Sequence, residues 1–317
     1  MKKVFLTEPI HQDGINLLKK EVDVIIGSST DSETIIREAA DCQGIIIRSA
    51  KITGEIIKSL PKLKVIAKHG IGVDNIDLIA ANELGIMVVN APEANIHSVA
   101  EHALGMILAV TKNFVQLDNE TRKGNFYLRN KIIGTEIKGK TVGLVGMGKI
   151  GLLLVEKLRG LGVEFIGYDP YVNPDTARKH EIALVETLDE LLANSDIITI
   201  HTPLTDATSK MIGEKQFNMM KSSAYLINVS RGSIVDEQAL YQALKTGQIR
   251  GAALDVFEEE PPAKDNPLFT LDNILVSPHN AALTEDALIA MAVHAAQGVL
   301  DHINGKRPKY IVNPQIF

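Results

Sequence analysis

Cysteine is almost missing from this 317-residue sequence, and its one thiol, Cys42, excludes an intrachain disulfide and a cysteine metal cluster. That suits a reducing compartment. Positive charge is not in excess: 33 Lys and Arg against 39 Asp and Glu give a net charge of −6, with no electrostatic call for nucleic acid or an anionic membrane as partner. A small-molecule partner fits better. Long apolar runs are absent too, since the longest, ALGMILAV from Ala103 to Val110, falls far short of the ~20 residues of a membrane span. The opening MKKVFLTEP has two lysines, but its apolar run stops at Thr7, Glu8 and Pro9, too early for a signal-peptide core. The expectation is a soluble, cytoplasmic chain without a cleaved leader. No G-x-S-x-G or H-E-x-x-H occurs, which excludes an esterase elbow and that zinc motif, so no metal is expected. His294 and His302 lie on a helical pattern and read as helix-surface histidines.

What is present is ordinary globular material, 45% hydrophobic and 23% charged, at a length that usually divides into about two domains. Short apolar runs bounded by Gly, Pro, Asn or Asp alternate with helical patterns. One set begins at Lys3, Val22, Gly44, Lys64 and Ile86; another begins at Thr141, Val163, Asp196, Ala224, Gly251 and Asn273. Strands that meet no water on either face belong to parallel sheets covered by helices, so both halves read as α/β, doubly wound. A long helix is expected from a capping box at Ser98 and Glu101 towards Gly124, and a second from Thr284 to just before Gly305. These helices place the domain boundaries at 1–97 with 286–317, and 98–285.

The sequence GMGKIG follows the strand TVGLV and opens a helical stretch, the context that a G-x-G-x-x-G pattern needs to mean a dinucleotide site. Gly146 permits a tight turn, Gly148 lets backbone approach a pyrophosphate, and Gly151 lets helix pack on strand. The phosphates then meet the helix N-terminus. Asp169 ends the next strand, eighteen residues after Gly151, where an acid meets ribose hydroxyls and repels a 2′-phosphate. NAD is therefore expected over NADP. A second G-x-G, at Gly70 and Gly72, lacks a third glycine; it is either a plain turn or a loop, Gly70-Ile71-Gly72, whose N–H groups bind a substrate carboxylate.

Arg231, Glu260 and His279 stand just beyond successive strands of the second set, where an open parallel sheet binds ligands. Alone, each has a commoner structural reading: Arg231 as a surface ion pair, Glu260 as a member of the run Glu258 to Glu260, and His279 as a strand-end histidine. Together they suit hydride-linked oxidation of an alcohol beside a carboxylate. His279 would exchange the hydroxyl proton, Glu260 would fix its tautomer and favour imidazolium, and Arg231 would clasp the carboxylate. Asp255 is a candidate acceptor for the nicotinamide carboxamide.

Taken together, NAPEANIHSVAEHALGMIL, GKTVGLVGMGKIG, HTPLTDATSKMIG, LINVSRGSIVDEQAL, GAALDVFEEEPP and SPHN resemble the D-isomer-specific 2-hydroxyacid dehydrogenases, in particular the phosphoglycerate dehydrogenase branch, over nearly the whole chain. The resemblance implies a homodimer whose Rossmann NAD-binding domain is inserted into a smaller flavodoxin-like substrate domain made from both chain ends. It implies a catalytic set of Arg231, Glu260 and His279. It also implies cofactor contacts at Lys149, Ile150, Asp169, Thr202, Val229, Ser230, Arg231, Asp255 and His279, and substrate contacts at Arg48, Ser49 and Gly70 to Gly72. The chain departs from the branch at Lys68-His69, where Arg-Ala is common, and lacks a tryptophan after the long helix, where Phe126 is the nearest aromatic. Its segment Asn280 to Thr284 lacks the usual Gly and Ser, and a serine-sensing domain is not expected. The substrate expected first is 3-phosphoglycerate; the alternatives are hydroxypyruvate or glyoxylate reduction, and a non-catalytic NAD-sensing interaction protein.

Overall fold

The computed structural model describes residues 1–316, which divide into two compact units, Met1–Ile96 with residues 282–316, and His97–Ala281. The first unit holds strands β1 (Lys3–Leu6), β2 (Asp23–Ile26), β3 (Gly44–Ile47), β4 (Val65–Lys68) and β5 (Met87–Val89). They form an all-parallel sheet in the order β2-β1-β3-β4-β5, the flavodoxin-like order. Successive side chains of a strand point to opposite faces, and each face here is covered. Phe5, Ile45, Ile47, Ile66 and Val88 pack with Ile35, Ile56 and Ile57, whereas Val4, Leu6, Ile46, Val65 and Ala67 pack with Ile15, Leu18, Ala295 and Val299. The helix that carries Ala295, Glu285–Ile303, begins at Thr284, whose side chain accepts from the Ala287 N–H. Beyond it the chain returns to β5: Ile311 bridges Val89 antiparallel, and the Asn313 side chain accepts from Val88 N–H at 2.7 Å and donates to Ile86 O at 2.9 Å.

The second unit holds β6 (Thr141–Val145), β7 (Glu164–Tyr168), β8 (Ala183–Leu184), β9 (Ile197–Ile200), β10 (Tyr225–Asn228), β11 (Gly251–Leu254) and β12 (Ile274–Val276). Their parallel order, β12-β11-β10-β9-β6-β7-β8, is that of a doubly wound Rossmann domain with one added strand, and the winding reverses between β6 and β9. All the strands expected from apolar runs are present. The edge strand β8 is an addition, too short and too exposed to show a pattern.

The long helix expected from Ser98 to Gly124 is two helices, Ile96–Thr111 and Phe114–Arg122. Asn113 interrupts it in the left-handed region at φ 54°. Nor does Ser98 cap the first helix, which starts two residues earlier. Ser98 lies on the buried face and donates its hydroxyl to Ala281 O at 2.5 Å. Among the described residues no helix is long and apolar enough to cross a membrane.

Candidate active site

The loop between β6 and the helix Lys149–Leu158 uses its three glycines for three different reasons. Gly146 has φ +93°, and a Cβ there would lie 2.9 Å from Thr202 Cγ2 and 3.0 Å from the His201 carbonyl. At Gly151 a Cβ would press to 2.8 Å on Gly146 O, so the helix could not sit so near the turn. A Cβ at Gly148 would meet nothing within 4 Å among the described residues apart from its immediate chain neighbours. That open space, at the N-cap of the helix whose first residues are Lys149 and Ile150, is what a pyrophosphate needs. Asp169, just past β7, accepts from Met147 N–H on Oδ2 and from Tyr171 N–H on Oδ1, both at 2.9 Å. Each oxygen keeps a lone pair for a hydroxyl.

On the other side of the switch point, the Thr202 hydroxyl is buried without a hydrogen-bond partner among the described residues. Ser230, beyond β10, donates its hydroxyl to Thr202 O, its own N–H is held by Asn228 Oδ1 at 3.0 Å, and Val229 is buried. An orphaned donor beside an uncrowded glycine loop fits a dinucleotide.

Arg231, Glu260 and His279 follow β10, β11 and β12, which are neighbours in the sheet. His279 Nδ1 lies 2.6 Å from Glu260 Oε2, and Phe257 N–H donates to Glu260 Oε1 at 3.1 Å. Burial works to raise the Glu260 pKa. It is overcome by the His279 hydrogen bond and charge, the Phe257 N–H and the Arg231 guanidinium, which together hold the carboxyl below its ordinary value. Arg231 itself donates from Nη1 to Ser230 O at 2.8 Å, and its carbonyl accepts from the buried Asn228 side chain at 2.9 Å. The next residue, Gly232, sets the approach of the two loops: a Cβ there would lie 1.9 Å from the Phe257 carbonyl carbon. Only hydrogen fits. The pair leaves His279 Nε2 as the ring atom that can exchange a proton with a ligand.

Asp255, expected to meet the nicotinamide, has its carboxylate fully buried and engaged within the protein. Its Oδ1 accepts from Ser277 Oγ at 2.6 Å and Asn280 N–H at 2.9 Å, and its Oδ2 from Ala281 N–H at 2.9 Å. The structure thus gives it the turn around His279 as its first duty.

In the first unit, Arg48, Ser49 and the Gly70–Gly72 loop lie beyond β3 and β4. Ser49, expected as a substrate contact, donates its hydroxyl to Glu8, beyond β1. Glu8 also accepts from the N–H groups of Arg48 and Ser49, at 3.2 Å each. Burial raises the Glu8 pKa, but the hydroxyls of Ser49 and Thr7 and the N–H groups of Ser49 and Ala50 outweigh it and keep the carboxyl below its ordinary value. The switch point of this sheet, between β1 and β3, is therefore filled by an internal anion. Arg48 Nη1 donates to Pro9 O at 3.0 Å, and Lys68 Nζ to Arg48 O at 2.5 Å. The carbonyls of Gly70 and Ile71 are pinned by Ala91 N–H and the Asn90 side chain, both at 2.8 Å, whereas no hydrogen bond among the described residues uses the N–H groups of Gly70, Ile71 or Gly72. His69 is buried and its Nε2 has no hydrogen-bond partner among the described residues; burial, then the Arg48 charge, push its pKa down to about 4, so the ring is neutral at pH 7.

Residues 104–281 match the family model described as D-isomer specific 2-hydroxyacid dehydrogenase, NAD binding domain. The chain is 38% identical over 323 residues to a glyoxylate reductase of Thermofilum pendens, covering 99% of this chain and 95% of that protein. It belongs to the D-isomer specific 2-hydroxyacid dehydrogenase family. It is also 42% identical over 315 residues to a D-3-phosphoglycerate dehydrogenase of Methanocaldococcus jannaschii, covering 99% of this chain but 60% of that one. Against an Arabidopsis thaliana D-3-phosphoglycerate dehydrogenase it spans 53% of the relative's length. Among solved structures, D-lactate dehydrogenase from Aquifex aeolicus complexed with NAD and lactic acid superposes with a TM-score of 0.89 at 30% identity, covering 98% of this chain and 99% of that one.

Two residues that shape these sites escaped sequence reasoning. Gly232 stands beside Arg231, and its neighbour in SRGS was the available signal, but the loop it admits, Phe257-Glu258, is 25 residues away. Glu8 carries no signal at all, because its partners lie about 40 residues later.

Proposed function

We propose that this chain is an NAD(H)-linked oxidoreductase that interconverts a small D-2-hydroxy acid and its 2-oxo acid. The observation that carries the reading is the 2.6 Å His279–Glu260 pair, set with Arg231 at the ends of three adjacent strands of an NAD-binding domain. NAD, when bound, supplies the hydride acceptor or donor. His279 Nε2 takes the hydroxyl proton during oxidation and returns it to the carbonyl oxygen during reduction, while Glu260 on Nδ1 holds the ring and balances its charge. Arg231 receives the substrate carboxylate in its planar fork and orients the 2-carbon.

For the substrate we place 3-phosphoglycerate first. Support comes from the likeness to phosphoglycerate dehydrogenases and from two cations, Arg48 and Lys68, at the ends of paired strands β3 and β4. A second reading, hydroxypyruvate or glyoxylate reduction, is favoured by Glu8, which occupies the N–H groups of the Arg48–Ala50 turn that a phosphate would otherwise use. The partner surface we propose is a second copy of the chain. The helix Phe114–Arg122 has no buried residue, and Phe114, Val115, Phe126, Tyr127 and Ile133 are each at least half exposed, an apolar face that a homodimer would cover.

The test is NADH consumption with phosphohydroxypyruvate, hydroxypyruvate, glyoxylate, pyruvate and 2-oxoglutarate. Turnover of at least one, lowered about 10²- to 10⁴-fold by His279→Ala, is expected. Unchanged activity in that variant would remove the acid–base assignment. Tight NADH binding with no turnover on any 2-oxo acid would leave the NAD-sensing reading in its place.

A further inference from the structure

The motif NIHSVAEHA contributes no group to the chemistry above, yet Ser98 and His102, one helical turn apart, both hold the loop that presents His279. Ser98 donates to Ala281 O at 2.5 Å, two residues after His279. His102 Nε2 lies 3.1 Å from Ser277 Oγ, two residues before it. The direction of that second bond follows from proton count. Ser277 has one hydroxyl proton and gives it to the Asp255 carboxylate at 2.6 Å, so its oxygen accepts and His102 Nε2 carries the hydrogen. His102 Nε2 is also 3.5 Å from Asp255 Oδ1. Asp255 in turn accepts from Asn280 and Ala281 N–H, and its carbonyl accepts from His279 N–H at 2.7 Å. His279 sits at φ 51°, a conformation that a non-glycine residue keeps only when its surroundings impose it.

We infer that Ser98 and His102 are positioning residues, which with Ser277 and Asp255 clamp residues 277–281 and fix the ring of His279 for proton exchange. The inference rests on the proposed acid–base role of His279. Side chains that bracket a strained turn act on the reacting geometry and leave ligand capture alone.

The test uses the full chain with its best 2-oxo acid and NADH. His102→Leu is expected to lower kcat about tenfold, with KM for the 2-oxo acid and Kd for NADH each within about twofold of wild type. His102→Gln, whose amide N–H replaces the donor, is expected to recover most of that loss. Ser98→Ala removes one oxygen only, and carries the test if His102→Leu does not fold; a fall of about threefold in kcat alone is expected. Full activity in both variants, equal losses in the Leu and Gln variants, or a loss that appears in NADH Kd would each overturn the inference. His279→Ala in the same assay separates the two ideas: if it is inactive while His102→Leu and Ser98→Ala are fully active, only the clamp fails; if it is fully active, the underlying role fails.

Discussion

The Asp169 carboxylate holds two N–H groups of its own domain, one on each oxygen, and retains a lone pair on each for a ribose diol. Asp169→Ala is accordingly expected to raise the Kd for NADH about tenfold or more, the loss of one or two hydrogen bonds to a charged acceptor, while NADPH, freed of a repelling charge, loses less. Titration with both nucleotides reads this directly, and equal losses for the two would take away the ribose role. Asp169 was legible because a strand end at a fixed distance from a glycine loop constrains where an acid can lie. Asp255 and Ser49 were legible only as polar residues near strand ends. Whether such a group faces a ligand or an internal partner is decided by residues tens of positions away, Ala281 for one and Glu8 for the other.

At the scale of elements, strands buried on both faces announce themselves as continuous apolar runs, and eleven segments read that way are all strands. Helix continuity is less visible. Asn113 carries no mark that distinguishes it from any other helix-surface Asn, yet its left-handed backbone splits one expected helix into two. The second of those helices and the following Phe126–Asn130 turn make up the exposed apolar arm. If that arm is the dimer surface, sedimentation of the wild-type chain gives twice the monomer mass, and replacing Phe126 and Tyr127 together by Asp gives a folded monomer. A variant that remains dimeric places the interface elsewhere.

Over the whole molecule, each unit holds a histidine whose pKa desolvation pushes down. Burial pushes His201 down to about 4, and burial with the Arg48 charge does the same to His69, against an ordinary value of 6.5. The unfolded chain therefore takes up protons below pH 6.5 that the folded chain refuses until about pH 4. Stability is complete above 6.5 and falls as the pH drops through that window, by about 3 kcal/mol for a fully buried ring such as His69. Glu8 and Glu260, both held below the ordinary carboxylate value of 4.5, add their losses only further down. Urea unfolding from pH 7.5 to 4 should show the decline, flattened in part by His69→Leu and in part by His201→Gln. A slope untouched by either replacement would refute the assignment.

The helix Glu285–Ile303 has a consequence for synthesis. It covers one face of β3 and β4 and packs on the helix Gln12–Leu18, so the cover that Ile15 and Leu18 begin over Val4, Leu6, Ile46 and Val65 is completed only when a segment more than 200 residues later has left the ribosome. The domain encoded in the middle, 97–281, has every one of its strands in hand before then. Translation order thus inverts assembly order: the unit whose strands are made first is completed last, with one face of its sheet only partly covered through most of the chain's elongation.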